Sequence, residues 1–143
     1  MNTLLRAGMW FTAFIELAIG AVATLMPRAF FDYTPWVNLA PPFSEHLMRD
    51  YGAMNLALGL VTVVAVFTMD RRMVRTALAA YLIFAIPHLM FHVMHHDDYT
   101  TSQAVGETTA LTFAMLLPLA LLTLTWRIRR FTRVSKVSRD WPR

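Results

Sequence analysis

The sequence predicts an all-α integral membrane protein, an antiparallel four-helix bundle with both termini in the cytoplasm. Hydrophobic residues make up 57% of the 143 residues, above the ~45–50% typical of soluble globular proteins. They gather in four long blocks, each near the ~20 residues that a helix needs to cross a bilayer. Basic residues also flank these blocks unevenly, which indicates an orientation. The predicted spans are about 4–26, 47–69, 73–94 and 104–126.

The first block is interpreted as a retained span and not as a cleaved signal peptide. Ala21-Val22-Ala23 resembles a small-residue cleavage site after an apolar stretch. However, Glu16 interrupts the would-be apolar region, and the hydrophobic segment continues to Met26, both of which are untypical of a signal peptide. The first block is therefore expected to be the first helix of the bundle.

The later blocks carry signals of helix ends and of local distortion. Ser44 is a candidate N-cap before the second block, and Glu45 in the following turn is favoured by the helix dipole. In the third block, Pro87 cannot donate a hydrogen bond to the carbonyl of Ile83, so we expect a kink or a loosened turn there that opens a pocket. Pro118 predicts a similar distortion in the fourth block.

The distribution of Lys and Arg predicts the orientation of the bundle. Three arginines, Arg71, Arg72 and Arg75, fill the turn between the second and third blocks, whereas the other connections hold only Arg28 and Arg49. By the positive-inside rule, the amino terminus, this turn and the carboxyl-terminal segment face the cytoplasm. The chain thus divides into a bundle, residues 1–126, and a basic cytoplasmic tail, residues 127–143, in the plasma membrane.

The basic tail is expected to contact lipid. Trp126, Phe131 and Trp141 alternate with its Arg and Lys residues, a pattern typical of a segment that lies on anionic lipid headgroups. We expect no nucleic-acid partner. Small residues in the first two blocks predict close helix approach within the monomer or in a homo-oligomer. These are Gly8, Ala13, Gly20, Ala23, Gly52 and Gly59.

Acidic residues and histidines gather at the end of the bundle opposite the arginine-rich turn. The chain has no cysteine, so thiolate nucleophiles and cysteine-ligated metals are excluded. His88 and His92 lie four residues apart on one predicted helical face and can bind one ion. With neighbouring carboxylates, this set favours Zn or non-haem Fe. The expected metal ligands are His88, His92, Asp50, Glu107, His46 and His95, and the surrounding ligand pocket is expected to include Glu16, Glu45, Arg49, Asn55 and His96.

Several functions fit this cluster. One alternative to a non-haem metal is haem b held between His46 and His88. Another is a general acid/base site for a small lipid or quinone. A third is a non-enzymatic accessory subunit of a larger membrane complex. In such a subunit the buried charges pair with one another, which offsets the cost of ~2.5–3.5 kcal/mol for placing each charge in the middle of a span. Whether the protein is an enzyme stays open at this point.

Two segments resemble a known group of proteins. They are residues 44–59, Ser-Glu-His-Leu-Met-Arg-Asp-Tyr-Gly-Ala-Met-Asn-Leu-Ala-Leu-Gly, and residues 87–92, Pro-His-Leu-Met-Phe-His, followed by His95-His96. Together they resemble small uncharacterised four-span membrane proteins of actinobacteria, loosely DoxX-like. The resemblance implies a four-helix membrane fold and a redox association. Residues 92–96 also resemble one histidine box of membrane di-iron hydroxylases, which need several such boxes, so that activity is not expected.

Overall fold

A computed structural model describes residues 3–39 and 42–127. The described residues form five α-helices and one short 3-10 helix, Val37–Leu39. The tail predicted at 127–143 lies outside the described residues except for Arg127. The α-helices are α1 (Thr3–Leu25), α2 (Pro27–Tyr33), α3 (Glu45–Thr68), α4 (Arg71–Met94) and α5 (Thr101–Arg127).

The four long helices α1, α3, α4 and α5 lie within a few residues of the four predicted apolar blocks. Each is long and apolar enough to cross a bilayer, so by helix length and hydropathy this is a multi-pass membrane protein. Two helices begin before their apolar blocks because a side chain caps the first turn. The Ser44 hydroxyl accepts a hydrogen bond from the Leu47 amide at 3.3 Å, and Asp70 accepts one from Arg72 and one from Met73, each at 3.0 Å.

The connection between the first two spans contains a helix that was not predicted from the sequence. Pro27 lies in the first turn of α2, where its fixed φ suits a helix start and no amide is needed. Phe30 is buried and its ring lies 5.9 Å from that of Tyr51 on α3. Arg28 and Asp32 form an ion pair at 2.8 Å on the exposed face of α2. This segment therefore packs on the bundle instead of looping freely between spans.

Glycines bring α1 and α3 into close contact, as the small-residue pattern predicted. A Cβ on Gly52 would lie 2.6 Å from the Thr24 backbone nitrogen and 2.9 Å from the Gly20 carbonyl oxygen. A Cβ on Gly20 would likewise lie 2.8 Å from the Leu56 nitrogen. Only hydrogen fits at such distances, so these glycines allow the two backbones to touch. Association between protomers stays a prediction.

The tightest apolar core lies at the end of the bundle that carries the α3–α4 turn, here called the arginine end. Two arginines near this turn, Arg71 and Arg75, also connect α4 to α5. Arg71 donates a hydrogen bond to the Thr125 carbonyl at 3.0 Å, and Arg75 donates one to the Thr125 hydroxyl at 2.9 Å and lies 3.6 Å over the Trp126 ring. These arginines therefore hold α4 against the last turn of α5. The core consists of Leu5, Met9, Ala65, Val66, Met69, Val74, Ala77, Leu78 and Leu121.

Candidate functional site

The opposite end of the bundle, here called the histidine end, encloses a cavity of about 470 Å³. It lies between the first turns of α3 and α5, the last turns of α4, and α2 with its following loop. This volume falls within the ~300–1,000 Å³ of pockets that take small organic ligands. Its walls are mainly apolar and aromatic, with a polar region formed by His88, His92 and Glu107. The aromatic wall includes Phe30, Phe31, Trp36, Tyr51 and Phe91.

Glu107 is the centre of the polar region. Its side chain is only 5% exposed, and both of its oxygens are hydrogen-bonded. Oε1 lies 2.9 Å from His92 Nδ1 and 3.1 Å from the Tyr99 hydroxyl, while Oε2 lies 3.2 Å from His96 Nε2. Three donors from α4 and the α4–α5 turn therefore converge on one carboxylate of α5, which offsets the cost of burying its charge.

The carboxylate determines which nitrogen of each imidazole carries the hydrogen. Because an ionised carboxylate only accepts hydrogen bonds, His92 must donate from Nδ1 and His96 from Nε2. In neutral His92 this leaves Nε2 as an acceptor on a ring that lines the cavity. A carboxylate that orients an imidazole in this way can position a proton acceptor for a bound molecule. The arrangement supports hydrogen bonding to a ligand and, chemically, general-base action.

Tyr99 belongs to the site although it was not predicted from the sequence. Burial, the negative charge of Glu107 and the hydrogen bond to it raise the pKa of Tyr99 to about 12, so the hydroxyl keeps its proton at neutral pH and donates. The same hydroxyl lies 3.3 Å from the carbonyl oxygen of Trp36, and its single proton serves one of these acceptors at a time. Tyr99 lies in a turn outside the periodic helical pattern, so spacing alone offered no signal.

His88 presents polar atoms to the cavity without an internal partner. Its ring packs 5.0 Å from that of Phe84, 5.7 Å from that of Tyr51 and 4.6 Å from that of His92, measured between centroids. Among the described residues, nothing forms a hydrogen bond with its nitrogens. A neutral imidazole has one donor and one acceptor, so His88 is available to bind the polar group of a ligand. The structure thus places the predicted residues His88, His92 and Glu107 in the wall of one cavity, and His96 beside it as a hydrogen-bonding partner of Glu107.

Trp36 closes one side of the cavity in a strained conformation. Its φ of 68° is in the left-handed region, which is uncommon for a bulky residue. Its indole packs on α5 at Gly106, where a Cβ would lie 2.9 Å from the indole Cζ2. Gly106 therefore makes room for Trp36. Neither residue was expected in the site, because both contacts depend on how the α2–α3 loop folds back.

The charged residues at the start of α3 do not join the cavity. His46 Nε2 and Asp50 Oδ2 pair with each other at 3.2 Å, and their side chains are 88% and 63% exposed. Glu45 pairs with Arg49 at 2.8 Å, and Arg49 also donates to the Thr24 carbonyl at the end of α1. These four residues, expected in the site, instead form i,i+4 pairs along the exposed side of α3. The cavity meets α3 at Leu47, Met48 and Tyr51.

Three more of the expected site residues lie outside the cavity wall. His95 is exposed, with its Nδ1 2.7 Å from the Phe91 carbonyl and its ring stacked on that of Phe91. Asn55 is buried and donates to the Tyr51 carbonyl at 2.8 Å. Glu16 is 1% exposed in the interior of the bundle. The rotation of each helix about its axis places these side chains away from the wall.

The expected metal ligands are not assembled into a metal site. Within residues 3–39 and 42–127, no group of three or more His, Cys, Asp or Glu side chains could hold a metal ion. Asp50 and His46 lie on the exposed side of α3, and Glu107 already accepts three hydrogen bonds. The haem b alternative would require His46 to leave Asp50 and turn toward the cavity that His88 lines.

Comparisons with known proteins add no assignment to this geometry. No family model, curated protein or solved structure matches the chain. The DoxX-like resemblance and the redox association it implies therefore stay expectations from the sequence.

Proposed function

We propose that this membrane protein binds a small lipid-soluble molecule in the cavity at the histidine end. The observation that carries the proposal is an aromatic cavity into which His88 brings ring nitrogens that have no hydrogen-bonding partner among the described residues. The apolar body of the ligand packs on the aromatic wall. Its polar group contacts His88 and the Nε2 of His92, whose orientation the Glu107 carboxylate holds.

The chemistry of the wall restricts the ligand class. A partly buried imidazole without a partner, such as that of His88, costs free energy, which a ligand group that donates or accepts a hydrogen bond offsets. His92 offers an acceptor and His88 offers one donor and one acceptor, so a hydroxyl or a carbonyl group suits this region. The aromatic surroundings favour a molecule with a ring or an acyl chain. The proposed function is binding, and it requires no redox cofactor.

Filling the cavity is expected to abolish ligand retention. Protein purified in mild detergent is extracted with organic solvent, and mass spectrometry identifies and quantifies the retained small molecule. Ala110→Trp places a large ring at the cavity wall and should remove the molecule. His88→Ala should weaken binding roughly fivefold, because one hydrogen bond contributes about 1 kcal/mol.

The matched control for the filling variant is Phe113→Trp, which changes an exposed position on the same helix and should retain the molecule. Equal retention by the wild type and Ala110→Trp would contradict the proposal. So would stoichiometric Zn or Fe in elemental analysis that disappears in His88→Ala, because this result would restore the metal interpretation.

We also propose that the histidine end faces outward and the arginine end faces the cytoplasm, as the positive-inside rule predicts. The chain has no cysteine, so single cysteines report on one position each. Cysteine at Ser102, exposed at the start of α5, should react with an impermeant thiol reagent in intact cells. Cysteine at Thr3, exposed at the start of α1, should react only after the cells are permeabilised. The opposite labelling pattern would reverse the orientation.

A further inference from the structure

Glu16 is the most deeply buried acidic side chain of the described chain and takes no part in the cavity. It lies on α1, roughly 20 Å from the first residue of that helix at ~1.5 Å per residue, and is 1% exposed. A helix of this length spans the hydrocarbon region, so Glu16 lies near its middle. Its carboxyl group is therefore withdrawn from both water and lipid.

Among the described residues no cation pairs with Glu16, and the hydroxyl groups near it, those of Thr62 and Tyr81, are neutral. Both of its oxygens are buried without a hydrogen-bonding partner. On α3, Gly59 lies close to Glu16, because a Cβ added at Gly59 would be 3.3 Å from the Glu16 Cβ. The Thr62 hydroxyl of the same helix donates its hydrogen bond to the Leu58 carbonyl at 2.9 Å and not to Glu16. On α4, Tyr81 is in electrostatic contact with Glu16. These are polar but uncharged neighbours.

Three arginines that bond to neighbouring helices are engaged away from Glu16. Arg49 pairs with Glu45 and the end of α1, while Arg71 and Arg75 bond to Thr125 at the arginine end. In the part of the chain that the structure describes, no ion pair involves Glu16. This differs from Glu107, the other buried acid, which accepts three hydrogen bonds.

A carboxylate with no donor and no counter-ion is too costly to keep in an apolar interior. Transfer of an isolated ionised carboxylate into such a medium costs tens of kcal/mol in the Born limit, and the group neutralises instead. A protonated carboxyl group loses far less on burial, and its O–H can donate to a neighbouring hydroxyl. Burial and the missing partners therefore point to the neutral acid.

We propose that Glu16 is a proton-binding site in the interior of the bundle, where the folded protein holds it as a neutral carboxylic acid at neutral pH. Its neighbours on the packed helices are Gly59 and Thr62 from α3 and Tyr81 from α4. The bound proton belongs to a site separate from the ligand cavity, since Glu16 does not line the cavity wall. Protonation of Glu16 does not depend on whether the cavity binds a ligand.

Infrared spectroscopy tests the protonation of Glu16, with the protein in vesicles of ether-linked lipids, which lack ester carbonyl groups that absorb in the same region. A protonated carboxylic acid has a C=O stretching band above the amide I band, and an ionised carboxylate lacks it. At neutral pH the wild type should show one such protein band, shifted on exchange into deuterated water. Glu16→Gln should lose it, whereas Glu107→Gln should retain it, because Glu107 is an acceptor of three hydrogen bonds and Glu16 of none.

A wild-type spectrum without this band at neutral pH would overturn the inference, and this outcome does not depend on any variant. Loss of the band in Glu107→Gln but not in Glu16→Gln would overturn it as well. Thermal unfolding provides a second measurement. Glu16→Gln exchanges one neutral group for another of the same shape and should leave the unfolding midpoint nearly unchanged, whereas a marked fall would show that a charge had been lost.

Discussion

Replacing Gly52 with alanine is expected to separate α1 from α3 and to destabilise the bundle by about 3 kcal/mol or more, at the upper end of overpacking costs. The new Cβ would lie 2.6 Å from the Thr24 nitrogen and 2.9 Å from the Gly20 carbonyl. Both are backbone atoms, which cannot rotate away as a side chain can. The measurement is reversible unfolding in mixed micelles, with the expectation of a lower midpoint.

Gly8→Ala is the matched control because the three atoms nearest to its Cβ all belong to the side chain of Leu121, the nearest at 2.7 Å. A leucine end can change rotamer, and alanine gains about 1 kcal/mol of helix propensity over glycine. The net change should therefore be small. If both variants unfold at the same midpoint, the close approach of α1 and α3 does not determine the stability of the bundle.

Replacing Glu107 with glutamine is expected to destabilise the histidine end by about 3 kcal/mol, since hydrogen bonds to charged groups contribute about 1.5–3 kcal/mol each. The amide has one accepting oxygen, so its NH₂ faces a histidine nitrogen that must change tautomer to accept, and the remaining hydrogen bonds lose the charge that strengthens them. Tyr99 also loses the negative charge that helps to raise its pKa to about 12, so that pKa should fall. Unfolding and spectrophotometric titration of tyrosine measure the two effects.

Glu45→Gln provides the control for loss of an acidic charge at the same end. Glu45 and its partner Arg49 are 60% and 47% exposed, and exposed pairs contribute roughly 0.2–1 kcal/mol. The free energy of unfolding should therefore change little. Equal effects of Glu45→Gln and Glu107→Gln would indicate that the three hydrogen bonds of Glu107 contribute no more than a surface ion pair.

The fold could be predicted well because the bilayer imposes a strong constraint on the sequence. A spanning helix must satisfy its own backbone and be apolar over its length, so four blocks of suitable length and composition indicate four helices. The predicted and observed bounds of the long helices differ by a few residues at the helix ends. Ser44 and Asp70 cap helices that begin among polar residues, before the apolar blocks start. The helix α2 was not predicted because it is too short to show a helical period of hydrophobic residues.

The site could be predicted only in part. His88 and His92 lie four residues apart, and this spacing alone places them on one face of α4. Asp50 also lies at the correct end but on the wrong side of α3, because hydropathy indicates the depth of a residue in the membrane and not the rotation of its helix. The rotation depends on packing, here on the contact of Gly20 with Gly52.

The sequence by itself determined the number of spans, the gathering of histidines at one end, and the placement of Glu16 and Glu107 within apolar helices. These follow from local composition and helical geometry. Only the tertiary structure decided that Glu107 has three donors whereas Glu16 has none among the described residues, and that Tyr99 and Trp36 reach the site. The reason is that a partner from another helix or turn depends on helix rotation and loop path, which arise from contacts between residues far apart in the chain.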